Sequence, residues 1–143
     1  MDLSFPLLFS RELATPVSSV LNCGGRLYNE VANRLSLIAA ENKGKYGYGI
    51  FGGVIGCTEK EHAAEIRQAN PNLFFLIPGY GAQGGGAADV LPLLREGNGG
   101  VVNASRSILT AWKQASGSEN ANNEFAAAAA RKAVITMRDE IRK

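Results

Sequence analysis

Two stretches of the chain carry residue types suited to gripping an anion. Gly79-Tyr-Gly-Ala-Gln-Gly-Gly-Gly86 is too rich in glycine for a stable helix and predicts a backbone-lined loop of phosphate size. Gln83 adds an amide that both donates and accepts. Further along, Ser105-Arg106 stands where a short strand gives way to a helix. Arginine supplies a rigid, permanently charged fork that matches a phosphate, and a helix start adds backbone donors. Plainer readings stand beside these. Arg106 can be a surface arginine whose stem covers apolar area, Gln83 can bridge backbone groups and hold its own loop, and the glycines can serve tight turns without touching a ligand.

The other chemically capable residues point to structure rather than reaction. His62 falls early in a helix near Glu65 and Arg67 and reads as solvent-facing or locally paired. Cys23 and Cys57 lack a base partner or metal-ligand spacing, so they read as structural thiols. Tyr80 either flanks a bound sugar or seals the glycine loop against the next helix, and Trp112 packs on a short helix. Gly84-Gly-Gly86 does not continue into the Gly-Lys-Ser or Gly-Lys-Thr of a phosphate-binding loop, and no dinucleotide fingerprint opens the chain.

A repeated alternation of strand and helix positions these residues. Leu3 to Phe9 is apolar enough for a short strand despite Pro6. From Arg26, Leu27, Val31, Leu35 and Ile38 recur at helical spacing, with Glu30, Asn33 and Arg34 on the wet side. Ile50 to Gly56 is a compact strand. Thr58 and Glu61 have capping-box spacing for a helix over Glu59 to Ala69. Leu73 to Ile77 makes an apolar strand of the kind buried on both faces of a parallel sheet, ending at Pro78-Gly79. After the glycine loop, Asp89 is placed to cap a helix with Pro92 at its third position, and Val101-Val102 begins another strand. Ser105 is placed to cap a helix through Trp112, residues 116–123 read as a surface linker, and a last helix begins at Phe125. Its core side is Ala126, Ala130, Ala133, Val134, Met137 and Ile141, and its wet side Arg131, Arg138 and Glu140.

This order predicts an α/β protein with parallel strands. It suits an open doubly wound sheet or about four units of a (β/α)₈ barrel, whose full length is roughly 250 residues. The 143 residues allow one modest core, and 45% of them are hydrophobic. Fifteen basic against thirteen acidic residues leave +2, so no broad nucleic-acid-binding surface is implied. Two cysteines and one histidine argue against a disulfide scaffold or a metal centre. No long charge-free apolar run is present and the first residues make a poor signal peptide, so a soluble cytoplasmic protein without membrane contact is expected.

The stretches Leu76-Ile-Pro-Gly-Tyr-Gly-Ala-Gln-Gly-Gly85 and Val101-Val-Asn-Ala-Ser-Arg-Ser-Ile-Leu109, in that order, resemble orotidine 5'-phosphate decarboxylase of the bacterial-type branch. Leu27-Tyr-Asn-Glu-Val-Ala32 and Gly53-Val-Ile-Gly-Cys-Thr58 look like the corresponding helix and strand end. The likeness covers most of the chain and implies a single C-terminal half-barrel, residues 1–143, of a (β/α)₈ decarboxylase. Phe9-Ser-Arg-Glu-Leu-Ala-Thr-Pro16 departs from the Thr-Ser-Asn turn expected of that family. The resemblance implies conversion of orotidine monophosphate to uridine monophosphate and carbon dioxide, without a cofactor or metal, by an enzyme that is usually a homodimer. On it, Gln83 reaches the nucleotide phosphate, Arg106 pairs with it, Ser105, Gly84 and Gly85 support the phosphate end, and Pro78 and Gly79 shape the wall beside the pyrimidine.

The family's Asp-Lys-Asp reaction constellation is absent: the aspartates are Asp2, Asp89 and Asp139, none with a lysine at the needed spacing. No catalytic residue is therefore expected in this chain, and a phosphate grip cannot replace groups fixed at the reacting atom. The leading expectation is a phosphate-binding portion inactive by itself. Two alternatives are a non-catalytic module for phosphorylated nucleotides, and a structural half-barrel that pairs with itself or with a separate N-terminal half across its open edges.

Overall fold

The computed structural model describes residues 7–9, 27–58, 60–115, 119 and 121–142. Asp2, Cys23 and most of the divergent opening stretch lie outside the described residues. Four strands, β1 (Leu7–Phe9), β2 (Gly52–Ile55), β3 (Phe74–Pro78) and β4 (Gly100–Asn103), form one sheet in the order β1-β2-β3-β4. Every neighbouring pair is parallel. Chain-order parallel strands need a crossover between each pair, and helices supply it: α1 (Leu27–Glu41), α2 (Lys60–Ala69), and the short α3 (Ala87–Val90) with a 3₁₀ turn over Leu91–Leu93. After β4 come α4 (Ser105–Leu109), a 3₁₀ turn over Ala111–Gln114, and α5 (Asn123–Ile141). The architecture is the expected α/β one, part of a (β/α)₈ barrel.

The core lies between the sheet and its helices. Leu73, Phe75 and Ile77 are fully buried with Ile55, Ala63, Ile66, Val90 and Leu93. Each large side chain so buried contributes about 1.5–3 kcal/mol. Strand alternation turns Val54, Leu76 and Val101 to the opposite face, where they stand in register across β2, β3 and β4. That face is not covered within the described residues: Val54 and Leu76 are half-buried and Val101 is 53% exposed. The expectation that β3 is buried on both faces thus holds for one face only.

The seam of α1 is rotated from the expected one. Tyr28, Ala32 and Ala39 are buried and Leu35 packs against them, whereas Ile38 is exposed. The cause is a close approach: a Cβ on Gly49 would collide with Ala39, so the contact needs an alanine-sized side chain on the helix and none on the crossing backbone.

A buried cation ties the N-terminal ends of the strands together. Arg67 on α2 donates from Nε to the Leu93 carbonyl at 2.9 Å, from Nη1 to Asn70 at 3.2 Å and Leu73 at 2.9 Å, and from Nη2 to Gly99 at 2.9 Å. Its guanidinium lies 3.9 Å from the Phe75 ring centroid. Burial, the main cause, lowers its pKa to about 10, which still leaves it charged at neutral pH.

Other elements differ in their ends. Gly86, not Asp89, caps α3; Asp89 is buried at the third position, where its Oδ2 accepts from the Gly86 N–H at 2.8 Å, and Pro92 falls in the 3₁₀ turn. Glu59 and the Glu61 side chain lie outside the described residues, and with them the expected capping box of α2. Asn122 caps α5 by accepting from the Phe125 N–H at 2.8 Å, so Asn123, expected at the end of a linker, opens the helix. On α5, Met137 and Ile141 pack on the core while Val134 is 43% exposed. Among the described residues no helix is long and apolar enough to cross a membrane.

Candidate functional site

The site candidates gather at the C-terminal ends of β3 and β4, where loops rather than regular ladder carry the backbone. β3 stops at Pro78, whose carbonyl accepts from the Cys57 N–H beyond β2 at 3.0 Å. The glycine loop then closes on itself: Gly85 N–H donates to Gly79 at 3.2 Å, Gly81 N–H to Gly85 at 2.8 Å, and Gly84 N–H to Gly81 at 2.9 Å. The last bond defines a tight turn with Ala82 and Gln83 at its tip. Two glycines are demanded by space. Gly81 has φ +73° and a Cβ there would overlap Ser107; a Cβ at Gly85 would overlap the Cys57 sulfur and come 2.9 Å from the Gly79 carbonyl oxygen.

α4 begins directly after β4 and stands beside this loop. Ala104 occupies its cap position, so Ser105 is the first helical residue rather than the cap. The Ser105 hydroxyl donates to Asn103 Oδ1 at 2.7 Å, and the Ser105 N–H reaches the same oxygen at 3.1 Å. Two residues on, Ser107 Oγ accepts from the Ala82 N–H at 2.9 Å and reaches the Tyr80 carbonyl oxygen at 3.4 Å. This hydroxyl joins the tip of the glycine loop to the helix bearing Arg106.

Gln83 and Arg106 thus stand on the two sides of one junction, each a single residue from the Ala82–Ser107 bond. Both side chains are exposed, as are Gly84 and Ser105, while Gly79 and Gly85 are buried beneath them and Pro78 is half-buried. Among the described residues neither Gln83 nor Arg106 makes a side-chain hydrogen bond, so the loop is held by its backbone and by Ser107 rather than by Gln83. Two cavities, of about 610 Å³ beside Leu94, Val102 and Met137 and about 390 Å³ beside Tyr46, Tyr48 and Phe74, are not lined by the loop.

Tyr80 seals the loop, and the helix it meets is the last one rather than the next. Its buried ring sends the hydroxyl to Glu140 on α5, which stays exposed on the wet side of its helix, as expected, and also meets the phenol. Burial first, then the hydrogen bond and charge of Glu140, push the phenol up to about 12. Cys57 lies buried beneath Gly79 and Gly85, and burial raises its thiol pKa, which keeps it protonated and unreactive. His62 Nδ1 is 3.7 Å from Glu65 Oε2, and its ring lies near that of Tyr28. Trp112 is half-buried in its 3₁₀ turn, with Lys113 Nζ 5.6 Å from the ring centroid.

The remaining acids do not assemble a reaction centre among the described residues. Asp89 is committed to the start of α3, and Asp139 pairs with Arg138 at 2.7 Å. No group of three or more His, Cys, Asp and Glu residues there is arranged to hold a metal ion.

Sequence reading missed Arg67, Ser107 and Glu140. Arg67 carried a usable signal, since it shares the buried stripe of α2 with Ala63, Ile66 and Asn70 at intervals of three and four.

No family model matches the chain. It is 49% identical over 120 residues to an orotidine 5'-phosphate decarboxylase of Clostridium acetobutylicum, a match covering 84% of this chain and 41% of the relative. The corresponding protein of Clostridium perfringens is 48% identical over 120 residues, with 40% of its length covered. The chain therefore spans about two fifths of the length of the curated relatives it matches. Among solved structures, UMP synthase from Leishmania donovani superimposes with a TM-score of 0.56 at 32% identity, covering 85% of this chain and 24% of that one.

Proposed function

The chain belongs to the orotidine 5'-phosphate decarboxylase family over the residues it shares with these relatives, and from that premise we propose that it forms the phosphate-holding side of such a barrel, its C-terminal half. Gln83 and Arg106 grip the phosphate of orotidine or uridine monophosphate. The observation that carries this reading is the Ala82–Ser107 hydrogen bond, which brings the two side chains to one junction while each remains exposed and unengaged. The guanidinium offers two parallel donors to phosphate oxygens, and the Gln83 amide adds a neutral donor. Gly84, Gly85 and Ser105 form the bed beneath the phosphate, and Pro78 and Gly79 the wall toward the pyrimidine. The phosphate site of many barrels is built from the loops after the last two strands, which is where these residues fall if β3 and β4 are those strands.

Holding the phosphate is not decarboxylation. Loss of carbon dioxide leaves an electron pair on a ring carbon, which then takes a proton, and both events need charged groups fixed at that carbon. Asp89 and Asp139 are engaged elsewhere, so the 143-residue chain by itself binds the nucleotide without turning it over. Isothermal titration with uridine monophosphate and a decarboxylation assay on the purified chain test this. Binding that Arg106→Ala weakens at least tenfold, with no turnover, is expected; steady turnover would overturn the inactivity, and no binding would overturn the grip.

A second reading rests on the Val54, Leu76 and Val101 row, which the described residues leave uncovered, and on the open edge of β4. Four further parallel strands, from a second copy or from an N-terminal half, would cover that row and complete a barrel. Light scattering of the chain alone and mixed with such a half distinguishes these, and decarboxylation gained on mixing would identify a split enzyme.

A further inference from the structure

We infer that Ser107 is a positioning residue of this site: its hydroxyl fastens the glycine loop to α4 and so sets the distance between Gln83 and Arg106 without touching the ligand. The inference rests on the phosphate-grip reading above.

Among the described residues, three partners outside the loop hold it to the rest of the fold: the Cys57 N–H, Glu140 and the Ser107 hydroxyl. The Pro78 carbonyl is bound by the Cys57 N–H, the Tyr80 hydroxyl by Glu140, and the Ala82 N–H by Ser107 Oγ. The first two anchor the base of the loop to β2 and α5. Only the third connects the turn carrying Gln83 to the helix carrying Arg106. Ala82 N–H also lies 3.1 Å from the Tyr80 carbonyl oxygen, but that contact is internal to the loop and would travel with it. Ser107 reaches both groups, 2.9 Å from the Ala82 nitrogen and 3.4 Å from the Tyr80 oxygen, using the acceptor and donor capacities of one hydroxyl. The approach is possible because residue 81 has no side chain, since a Cβ there would overlap the Ser107 hydroxyl. An exposed glutamine on a glycine turn has many positions open to it, and a two-sided grip needs one. Displacement by a fraction of an ångström is enough to lose much of such a grip.

The test uses the full 143-residue chain as wild type, Ser107→Ala, Ser107→Thr and Arg106→Ala, with uridine monophosphate as the probe. Ser107→Ala should weaken nucleotide binding at least fivefold and accelerate hydrogen exchange at the Ala82 amide, with little change at amides in β3. Ser107→Thr, which retains the hydroxyl, should restore both. A merely structural role would shift the thermal midpoint without this selective exchange and rescue. Wild-type binding that falls with Arg106→Ala but stays within twofold in Ser107→Ala overturns the inference and leaves the grip standing. No binding by the wild type overturns the grip and the inference together.

Discussion

Arg67 and Arg106 put the same side chain to opposite uses at opposite ends of one sheet. Arg67, at the N-terminal ends of the strands, is 6% exposed and donates to four backbone carbonyls while stacking on Phe75. Arg106, just past the C-terminal end of β4, is exposed and has no partner among the described residues. The difference follows from what each backbone leaves open. Before β3 and β4 the chain bends, backbone donors reach the carbonyls of Gly99 and Asn70 singly, and the buried carbonyls there have room for the further donors that Arg67 supplies. After those strands, the glycine loop satisfies its own amides and carbonyls, so a charged side chain beside it stays available. One arginine ties the strand starts together and the other stays exposed beside the loop.

Removing Arg67 should have the largest effect. Arg67→Met keeps much of the apolar stem but takes the Arg67 donor from the carbonyls of Leu73 and Leu93, each a buried polar group whose isolation costs about 1–3 kcal/mol, and leaves the Gly99 carbonyl with the Phe75 N–H alone. A loss of at least about 3 kcal/mol in urea denaturation is expected, a large part of a small domain's stability. Arg67→Lys should recover only a fraction, because one ammonium cannot reach carbonyls spread around a planar fork. A loss below about 1 kcal/mol for the methionine variant would erase the contrast between the two arginines.

The glycine loop supplies the next test. Gly85→Ala sets a methyl against the Cys57 sulfur and the Gly79 carbonyl, both in the buried base of the loop, and should cost about 1–3 kcal/mol by overpacking. Gly86→Ala meets only the Asp89 carboxylate, at 3.9 Å, with extended backbone, and should be tolerated. Equal losses at the two positions, measured by thermal unfolding, would mean that the base of the loop yields as easily as its exit.

The sequence shows the glycine loop and Ser105-Arg106 because composition and position carry them. The helical periods likewise locate α1, α2 and α5. It does not show which face of α1 is buried, because the deciding contact is made by Gly49, ten residues beyond the partner Ala39 and off the helix altogether. Nor does it show Glu140: on α5 it looks like one more charge on a wet face, and only the docking of that helix against the loop gives it the Tyr80 hydroxyl. Cap residues moved by one or more positions for a similar reason. Asp89 reaches back three residues to Gly86 and Ser105 two residues to Asn103, so side chains that read as caps are engaged just upstream.

The Tyr80–Glu140 bond sharpens the comparison at a smaller scale, since it is a part-buried polar fastening on the Arg106 side. Tyr80→Phe should cost about 1 kcal/mol, the net worth of one such hydrogen bond. The phenol is held neutral, raised from 10.0 to about 12. Its contribution is complete below pH 10, where the unfolded phenol is also neutral, and is lost as pH rises through about 12. Ultraviolet titration of the wild type should show a tyrosine ionising at about 12 that is missing in Tyr80→Phe, and Glu140→Gln should lower it by removing the carboxylate charge. No change in Glu140→Gln would assign the whole shift to burial.

Arg106→Ala should change stability least. An exposed guanidinium without a partner among the described residues contributes little to folding, and truncating it should move the unfolding free energy by no more than about 0.5 kcal/mol. The paired measurement is what gives this small number meaning. If uridine monophosphate raises the thermal midpoint of the wild type in proportion to its occupancy, that rise should shrink or vanish in Arg106→Ala while the unliganded midpoints coincide. Arg106 would then be separable from the fold in a way Arg67 is not. If instead Arg106→Ala destabilises the unliganded chain as much as the Gly85 substitution does, the residue is packing its stem against α4 and the loop, and the two arginines differ in degree rather than in kind.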